Sequence, residues 1–286
     1  MDSAVVLTGA SSGIGFASVR ALTQVGFHVF AGVRRMDDAD RLVGECGERV
    51  TPLLFDVTDE TGVRDAAAET ATRLGNRRLV GLVNNAGIAV AGPLLHMPLD
   101  ELRRQFEINV VGQIAVTQAF APLLGTDRAR VGPPGRIVNM SSVAGRIVSP
   151  LAGAYAASKH ALEALSDALR RELMIYGVDV VTIEPGVIAT PIWDKIEKTD
   201  ISPYVATDYR AIAEKMRARS VREGRAGASP ERVARAVLRA LTAPRPPARI
   251  PVVPDYFTKW LLPRALPDRA LDAIFARMLG LRAPSR

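Results

Sequence analysis

Tyr155 and Lys159 stand four residues apart in the run Tyr155-Ala156-Ala157-Ser158-Lys159. On a helix that spacing puts both side chains on one face, a turn apart. A free phenol ionises near pH ~10 and is a poor acid–base group at neutral pH, whereas an ammonium beside it favours the phenolate and draws its pKa down. The pair is therefore a candidate proton-transfer device. Its background sets the lysine apart: the chain holds 32 arginines and 5 lysines, and Lys159 is the only lysine before Lys195. Where arginine is the default cation, an isolated lysine marks a place that wants a titratable ammonium. A second device is Thr8-Gly9-Ala10-Ser11-Ser12-Gly13-Ile14-Gly15, which follows an apolar, β-rich run and opens a helix. Glycines there permit a tight turn and close approach of the backbone to a pyrophosphate seated on the helix N-terminus. Alone, such a Tyr–Lys pair is usually a surface packing pair and such a glycine triplet usually a turn. Their joint occurrence in a strand–helix framework selects a dinucleotide site with an acid–base group beside it.

That framework alternates short β-rich runs with longer amphipathic ones. Strands are predicted at Ser3–Thr8, Phe27–Val33, Val50–Phe55, Leu79–Val83, Arg136–Met140, Val178–Ile183 and Arg249–Val253. Helices are predicted at Ile14–Val25, Asp59–Leu74, Leu102–Leu124, Tyr155–Tyr176 and from Ser229-Pro230 to Leu241, with Pro230 at the first helical position. Strict alternation implies right-handed βαβ units. The expected fold is α/β: one Rossmann-type, doubly wound parallel sheet of about seven strands, with helices on both faces. The whole chain, 1–286, reads as a single dinucleotide-binding catalytic domain without internal repeats. Beyond Pro185 the texture changes. Twelve of the 19 prolines lie from there on, residues 191–228 read as an irregular segment carrying short helices, and residues 255–286 as a basic amphipathic C-terminal extension.

Composition narrows the classes. With 286 residues, 48% hydrophobic and 23% charged, the chain can bury a core unaided, and disorder and fibrous repeats are excluded. Cys46 is the only cysteine and reads as a small core residue, while His28, His96 and His160 are scattered. No disulfide framework, cysteine-based zinc site or other metal site is expected. No run approaches about 18 uninterrupted apolar residues and no cleavable leader is apparent, so the cytoplasm is the default location. The net charge of +7 is uneven: residues 1–186 hold 18 Lys+Arg and 20 Asp+Glu, net −2, and residues 187–286 hold 19 and 10, net +9. That distribution argues against a nucleic-acid partner and for one special C-terminal surface.

The glycine spacing G-x-x-x-G-x-G departs from the commoner G-x-G-x-x-G, and with it the chain resembles the short-chain dehydrogenase/reductase family, whose TGxxxGxG stands at Thr8–Gly15. Further matches follow in order: Asp56-Val57, Asn84-Asn85-Ala86-Gly87, Asn109, Ser142, Tyr155 with Lys159, and Pro185-Gly186 with Thr190, covering residues 8–190. The resemblance implies Tyr155 as general acid/base, with Lys159 assisting it and bonding the nicotinamide ribose. It implies Ser142, rather than its neighbour Ser141, on the substrate oxygen, and Asn109 anchoring a water that leads to Lys159. The cofactor would lie on Thr8, Gly9, Ser11, Ser12, Gly13, Ile14 and Gly15. Asp56 would accept from the adenine amino group beside Val57, and Asn85, Ala86 and Gly87 would line the adenosine side. Pro185, Gly186, Val187 or Ile188, and Thr190 would hold the nicotinamide carboxamide and expose the pro-S hydride. Where NAD-preferring members carry an acid after the second strand, this chain has Val33 and then Arg34-Arg35. A guanidinium can pair with a 2′-phosphate. The family's other basic NADP position is Ser12, so one of two signals is present: NADP(H) is favoured, and NAD(H) stays open.

By the same resemblance, residues 191–228 form a lid over the substrate. Ile192, Trp193, Ile196, Ile201 and Tyr204 are apolar, and Val205, Tyr209, Ile212 and Met216 have spacings of 4, 3 and 4, one helical stripe. Plain core is the competing reading of that stripe. As a lid it implies a small hydrophobic carbonyl or alcohol substrate and no dedicated site for an anion; His96 falls at the mouth or on the surface. Val29–Arg34 and the basic tail are similar to the retinol and 17β-hydroxysteroid branch, implying a steroid-, retinoid- or lipid-like substrate. In the tail, Trp260, Leu261, Leu262, Leu266, Leu271, Ile274, Phe275 and Leu279 are interleaved with Arg264, Arg269, Arg277 and Arg282. That pattern suits peripheral membrane contact, packing on the domain, or a partner subunit. Family members generally form homodimers or homotetramers through their two long helices, here Leu102–Leu124 and Tyr155–Tyr176. The alternative from another class, a non-catalytic NADP-binding sensor or scaffold, is disfavoured by the presence of both Tyr155 and Lys159. Enoyl reduction goes with a wider Tyr–Lys spacing and is disfavoured too.

Overall fold

A run such as Ala4-Val5-Val6-Leu7-Thr8, apolar at consecutive positions, can only be buried on both faces, as a central parallel strand is. The computed structural model, which describes residues 3–281, places this strand, β1 (Ala4–Thr8), within a seven-stranded sheet. The others are β2 (His28–Val33), β3 (Val50–Leu54), β4 (Gly81–Asn84), β5 (Arg136–Met140), β6 (Asp179–Pro185) and β7 (Arg249–Val252). Their order is β3-β2-β1-β4-β5-β6-β7 and every pairing is parallel. The chain reverses direction across the sheet between β1 and β4, which opens a crevice at the strands' carboxyl ends.

Alternate residues of each strand serve different cores. Val5 and Leu7 join Val19 and Leu22 of α1 (Gly13–Gln24), Leu42 of α2 (Met36–Cys46) and Val233 and Val237 of α9 (Pro230–Thr242). Ala4 and Val6 join Val63 of α3 (Glu60–Leu74) and Val116 and Phe120 of α5 (Gly112–Ala121) on the other face. Cys46 packs half-buried against the first of these cores.

Two segments differ from the predicted pattern in ways that matter for the site. The first is not uniform: α4 (Leu99–Phe106) passes through a π-helical turn at Glu107–Val111 before α5, and a second such turn follows at Pro122–Thr126. Extra residues of this kind re-aim side chains, frequently at functional positions, and here the bulge holds buried Asn109. By length and composition Leu99–Thr126 could cross a membrane, but half of its apolar stretch is buried, and it packs on α3 and α6 (Gly153–Glu172). The second difference lies in residues 191–228. They carry α7 (Ile192–Glu197) and a longer helix, α8 (Arg210–Arg225), where the sequence predicts an irregular segment with only short helices. Val205 lies outside α8 and is exposed, so the stripe through Val205, Tyr209, Ile212 and Met216 is broken at its first member. Trp193 of α7 lies against Gly224 of α8, where a Cβ would overlap the indole, and its Nε1 donates to the Ile188 carbonyl at 2.7 Å.

The C-terminal extension runs through a π-helical turn (Phe257–Leu261), α10 (Leu262–Ala265) and α11 (Asp268–Leu279). It packs on its own domain through buried Trp260 and Leu279. Arg282 and the remainder of the predicted extension lie outside the described residues.

Candidate active site

The glycine loop is a cradle that side chains would fill. A Cβ on Gly15 would overlap the Gly9 carbonyl, one on Gly9 would come within 2.8 Å of Ala86 Cα, and one on Gly13 within 3.0 Å of Thr190 Cγ2. Gly9 and Gly13 also hold φ values of +66° and +52°, which L side chains rarely adopt. The loop is tied to the end of β4: Asn85 Nδ2 donates to the carbonyls of Thr8 (2.9 Å) and Gly9 (3.0 Å), and the amides of Asn85 and Ala86 donate to Thr8 Oγ1. Helix α1 has no acidic residue in its first turn and no side-chain bond from Ser12, so its N–H groups and positive dipole end are left for an anion. A cleft of about 220 Å³ lies over this loop, lined by Thr8, Gly9, Ser11 to Gly15, Arg34, Asp56, Val57 and Asn85 to Gly87. These residues fit a dinucleotide.

At the far end of the cleft Arg34 and Asp56 face each other at 3.5 Å. Burial pushes the Asp56 carboxyl up, but the Thr58 amide and hydroxyl and the Arg34 guanidinium outweigh it and hold the group below its ordinary value. Arg35 is not part of the cleft lining. It turns to Asp37 at 2.7 Å on the exposed surface, because Arg35 stands at the N-cap position of α2 whereas Arg34 directly follows β2. Sequence reading missed Arg41, whose guanidinium bonds the Ser11 carbonyl of the loop and Asp38. No local motif marks it; only the return of α2 past the loop does.

Ser142 follows β5 and caps the 3-10 turn Val143–Gly145, accepting from the Ala144 amide at 3.1 Å and donating to the Pro185 carbonyl at 3.4 Å. Its hydroxyl also reaches the Tyr155 phenol. Ser141 beside it has a buried Oγ without a hydrogen-bond partner among the described residues. Lys159 is buried, 5.8 Å from the Tyr155 ring centre, with Nζ donating to the Met140 carbonyl at 2.7 Å.

Burial dominates the electrostatics of the pair. Burial raises the Tyr155 pKa, and the Ser142 hydrogen bond only partly opposes it. Lys159 is brought down to about 8 by burial, against the pull of Glu163. In this arrangement Tyr155 is held as a neutral phenol, the form that donates a proton, beside an ammonium that titrates near neutral pH.

Asn109 sits on the other side of Lys159. Its Oδ1 accepts from the Ile88 amide at 2.9 Å, and its Nδ2 donates to the Ile88 carbonyl at 3.0 Å and to Ser158 Oγ at 3.2 Å. The side chain is thus spent on fixing the loop after β4, next to Gly87 and Lys159.

Sequence reading also missed a buried charge cluster beneath the site. Glu163, one turn beyond Lys159, and Glu184, just before Pro185, are both buried and share Arg146 at 2.8 and 3.1 Å. Arg249 adds contacts to Glu163 (2.9 Å) and Asp167 (2.8 Å). Trp260 Nε1 donates to Glu184 Oε2 at 2.7 Å, so the C-terminal extension is bolted to the strand that carries the Pro185-Gly186 loop. Burial and the nearby Glu163 push Glu184 up, while Arg146 and Trp260 hold it down.

Above Tyr155 opens a second cavity, of about 650 Å³. It meets the nucleotide cleft at Ile14, Asn85, Gly87, Ile88, Thr190 and Ile192. Ser142, Tyr155 and Lys159 line it, as do Pro185, Gly186 and Ile188. Its walls come from α7 and α8 (Trp193, Ile196, Met216), the segment between them (Ile201, Tyr204) and α11 (Phe275, Met278, Leu279). His96 lies outside, edge-on to Tyr209 at 5.6 Å. Arg217 and Lys259 are also among its lining residues. Among the described residues no cluster of His, Cys, Asp and Glu could hold a metal.

The chain is similar to known proteins over most of its length. A solved short-chain dehydrogenase from Streptomyces avermitilis superposes with a TM-score of 0.74 at 28% identity, covering 98% of this chain and 96% of its own. An NADPH-dependent 3-dehydrocapnine reductase from Ornithobacterium rhinotracheale is 41% identical over 274 residues, 96% of each chain. Mouse retinol dehydrogenase 5 is 35% identical over 99% of this chain and 91% of its own. The family model described as short chain dehydrogenase matches residues 3–201. The chain belongs to that family and is an NAD(P)-binding oxidoreductase.

Proposed function

We propose that this enzyme uses NADP(H) to interconvert a hydrophobic alcohol and its ketone or aldehyde, of steroid, retinoid or lipid type, with Tyr155 as general acid/base. One observation carries the reading: an apolar cavity of about 650 Å³ with Tyr155, Ser142 and Lys159 in its wall meets the nucleotide cleft along one seam. A bound reduced nicotinamide supplies the hydride. Ser142 orients the substrate oxygen, and Tyr155, kept neutral by burial, delivers the proton to it. Lys159 holds positive charge behind the phenol and is re-protonated near neutral pH. The preference for NADP(H) rests on Arg34 in the cleft, with Arg41 alongside the loop, and on the NADPH dependence of the 41% identical reductase.

Assembly into a homodimer or homotetramer belongs to the same reading, through the outer faces of the helices at Leu99–Thr126 and α6, where Val111 is 49% exposed. So does a cytoplasmic location. Peripheral bilayer contact is supported by exposed Phe257, Leu262 and Ile274 beside Lys259, Arg264 and Arg277 in the extension.

The test is a panel of long-chain, steroidal and short polar carbonyls assayed with NADPH and NADH in parallel. The expected outcome is reduction of apolar carbonyls with at least a tenfold advantage for NADPH. A preference for NADH, or turnover confined to short polar carbonyls, contradicts the proposal.

A further inference from the structure

One guanidinium beneath the site joins the segments that carry the reacting groups. Arg146 follows the 3-10 turn Val143–Gly145 that Ser142 caps. The Gly145 and Arg146 amides close that turn on the Ser142 and Val143 carbonyls at 2.9 and 3.0 Å. Arg146 Nη2 donates at 2.8 Å to Oε2 of Glu163, which lies on α6 one turn beyond Lys159. Its Nε donates at 3.1 Å to Oε1 of Glu184, the residue before Pro185, whose carbonyl accepts from Ser142 Oγ. The turn is pressed onto the helix: a Cβ on Gly145 would come within 2.8 Å of Ser141 Oγ and 3.1 Å of Glu163 Cγ. Arg146 itself is outside the cavity lining, although Ser142, Val143 and Ala144 are in it. Both carboxylates have a second donor, Arg249 Nε on Glu163 at 2.9 Å and Trp260 Nε1 on Glu184 at 2.7 Å. A buried ion pair often adds no net stability over apolar packing, so stability alone is a weak reason for this one. A guanidinium that meets two carboxylates through two of its edges does fix how three segments lie.

We propose that Arg146 is a positioning residue for proton transfer. It sets the Ser142 turn against the Lys159 helix and the Pro185-Gly186 loop, so that the Ser142 hydroxyl meets the Tyr155 phenol and the substrate oxygen together. The fork of the guanidinium matters more than its charge, because a lysine ends in one nitrogen and cannot hold Glu163 and Glu184 through separate edges. Without the fork, Ser142 is left to its 3.4 Å bond with the Pro185 carbonyl, too long to fix a hydroxyl tightly. Misplacing a reacting group lowers the rate even when every group is present. This inference rests on the reading of Ser142 and Tyr155 as the pair that handles the substrate oxygen.

A double-mutant cycle tests it. Arg146→Met, Ser142→Ala and the double variant are compared with the wild type in three readouts. These are kcat on the best carbonyl of the panel, NADPH affinity by fluorescence, and backbone amide hydrogen exchange by mass spectrometry. Arg146→Met is expected to lower kcat by roughly 10- to 100-fold, with NADPH affinity within about threefold of wild type. In the Ser142→Ala background the same substitution should cost less than about threefold, because its effect passes through the hydroxyl already removed. Amides of 143–147 should exchange about tenfold faster or more, while those of β5 keep their protection. Arg146→Lys should lose kcat as Arg146→Met does, and it carries the cycle if the Met variant does not fold. Equal losses in both backgrounds would mark a general structural role and overturn the proposal. So would full activity in either Arg146 variant, or unchanged exchange at 143–147, a readout that needs no turnover. If Ser142→Ala kept full kcat, the acid–base reading would fall and this inference with it. Loss in Ser142→Ala beside wild-type kcat in Arg146→Met would sink this inference alone.

Discussion

The nucleotide cleft and the substrate cavity share a seam at Thr190 and Ile14, yet they are made of different material. The cleft is largely backbone: glycines at positions 9, 13 and 15 that admit no Cβ, an open helix N-terminus, and the end of β4 tied to the loop by Asn85. The cavity is largely side chains, gathered from the ends of β4 and β5, from α7 and α8, and from α11 at the end of the chain. A backbone site needs certain residues at certain spacings and so leaves a continuous motif. A side-chain cavity needs only volume and polarity, and many sequences supply them.

Variants on the two sides should therefore fail differently. Replacing Lys159 by Met should cut kcat by about 10³ with every carbonyl, within the range for lost acid–base assistance, and weaken NADPH only by the loss of its ribose contact, far less than it cuts kcat, in fluorescence titration. Replacing Arg34 by Glu should swing the NADPH-to-NADH ratio of kcat/KM by roughly 10- to 100-fold, the worth of a charge-assisted contact, with little change in carbonyl preference. If carbonyl preference moved as much as cofactor preference, the separation of the two regions would be wrong. Trp260→Phe leaves the buried Glu184 oxygen without its donor and should lower stability by roughly 1–3 kcal/mol in urea unfolding, with a lower Tm. Its effect should appear in KM for long substrates before it appears in kcat.

The smallest expected effect is a shift in a pH profile. Lys159 is protonated below about 8, so activity that needs its ammonium is lost as pH rises through that value. Glu163 raises the Lys159 pKa. Glu163→Gln should therefore move the alkaline limb of kcat/KM to lower pH while leaving the rate at pH about 6 nearly unchanged, since the ammonium is charged there in both proteins. An unmoved limb would assign it to another group.

What could be read in the sequence follows the same division. The order of strands and helices, the glycine loop, Ser142, Tyr155 and Lys159 were all legible, because each is fixed by a local spacing or a strand end. The Arg34–Arg35 pair was legible as two arginines but not as two roles; the start of α2 decides that only Arg34 faces the cleft. Asn109 was legible as a position, while the π-helical turn that aims it was not, since nothing in Glu107–Val111 announces an extra residue per turn. Arg41, Glu163 and Glu184 were illegible because each acts through a partner distant in the chain. Trp260 was noticed as part of an amphipathic tail, but its bond to Glu184 joins positions 76 residues apart.

The central claim is that one phenol does the proton transfer whatever the cavity selects. Its most direct test is the rate of NADPH oxidation by Tyr155→Phe across the whole carbonyl panel, with NADPH affinity measured alongside. The account predicts a loss of about 10³ or more in kcat, similar for every substrate, with cofactor affinity within a few-fold of wild type. Turnover within tenfold of wild type on any good substrate would contradict it.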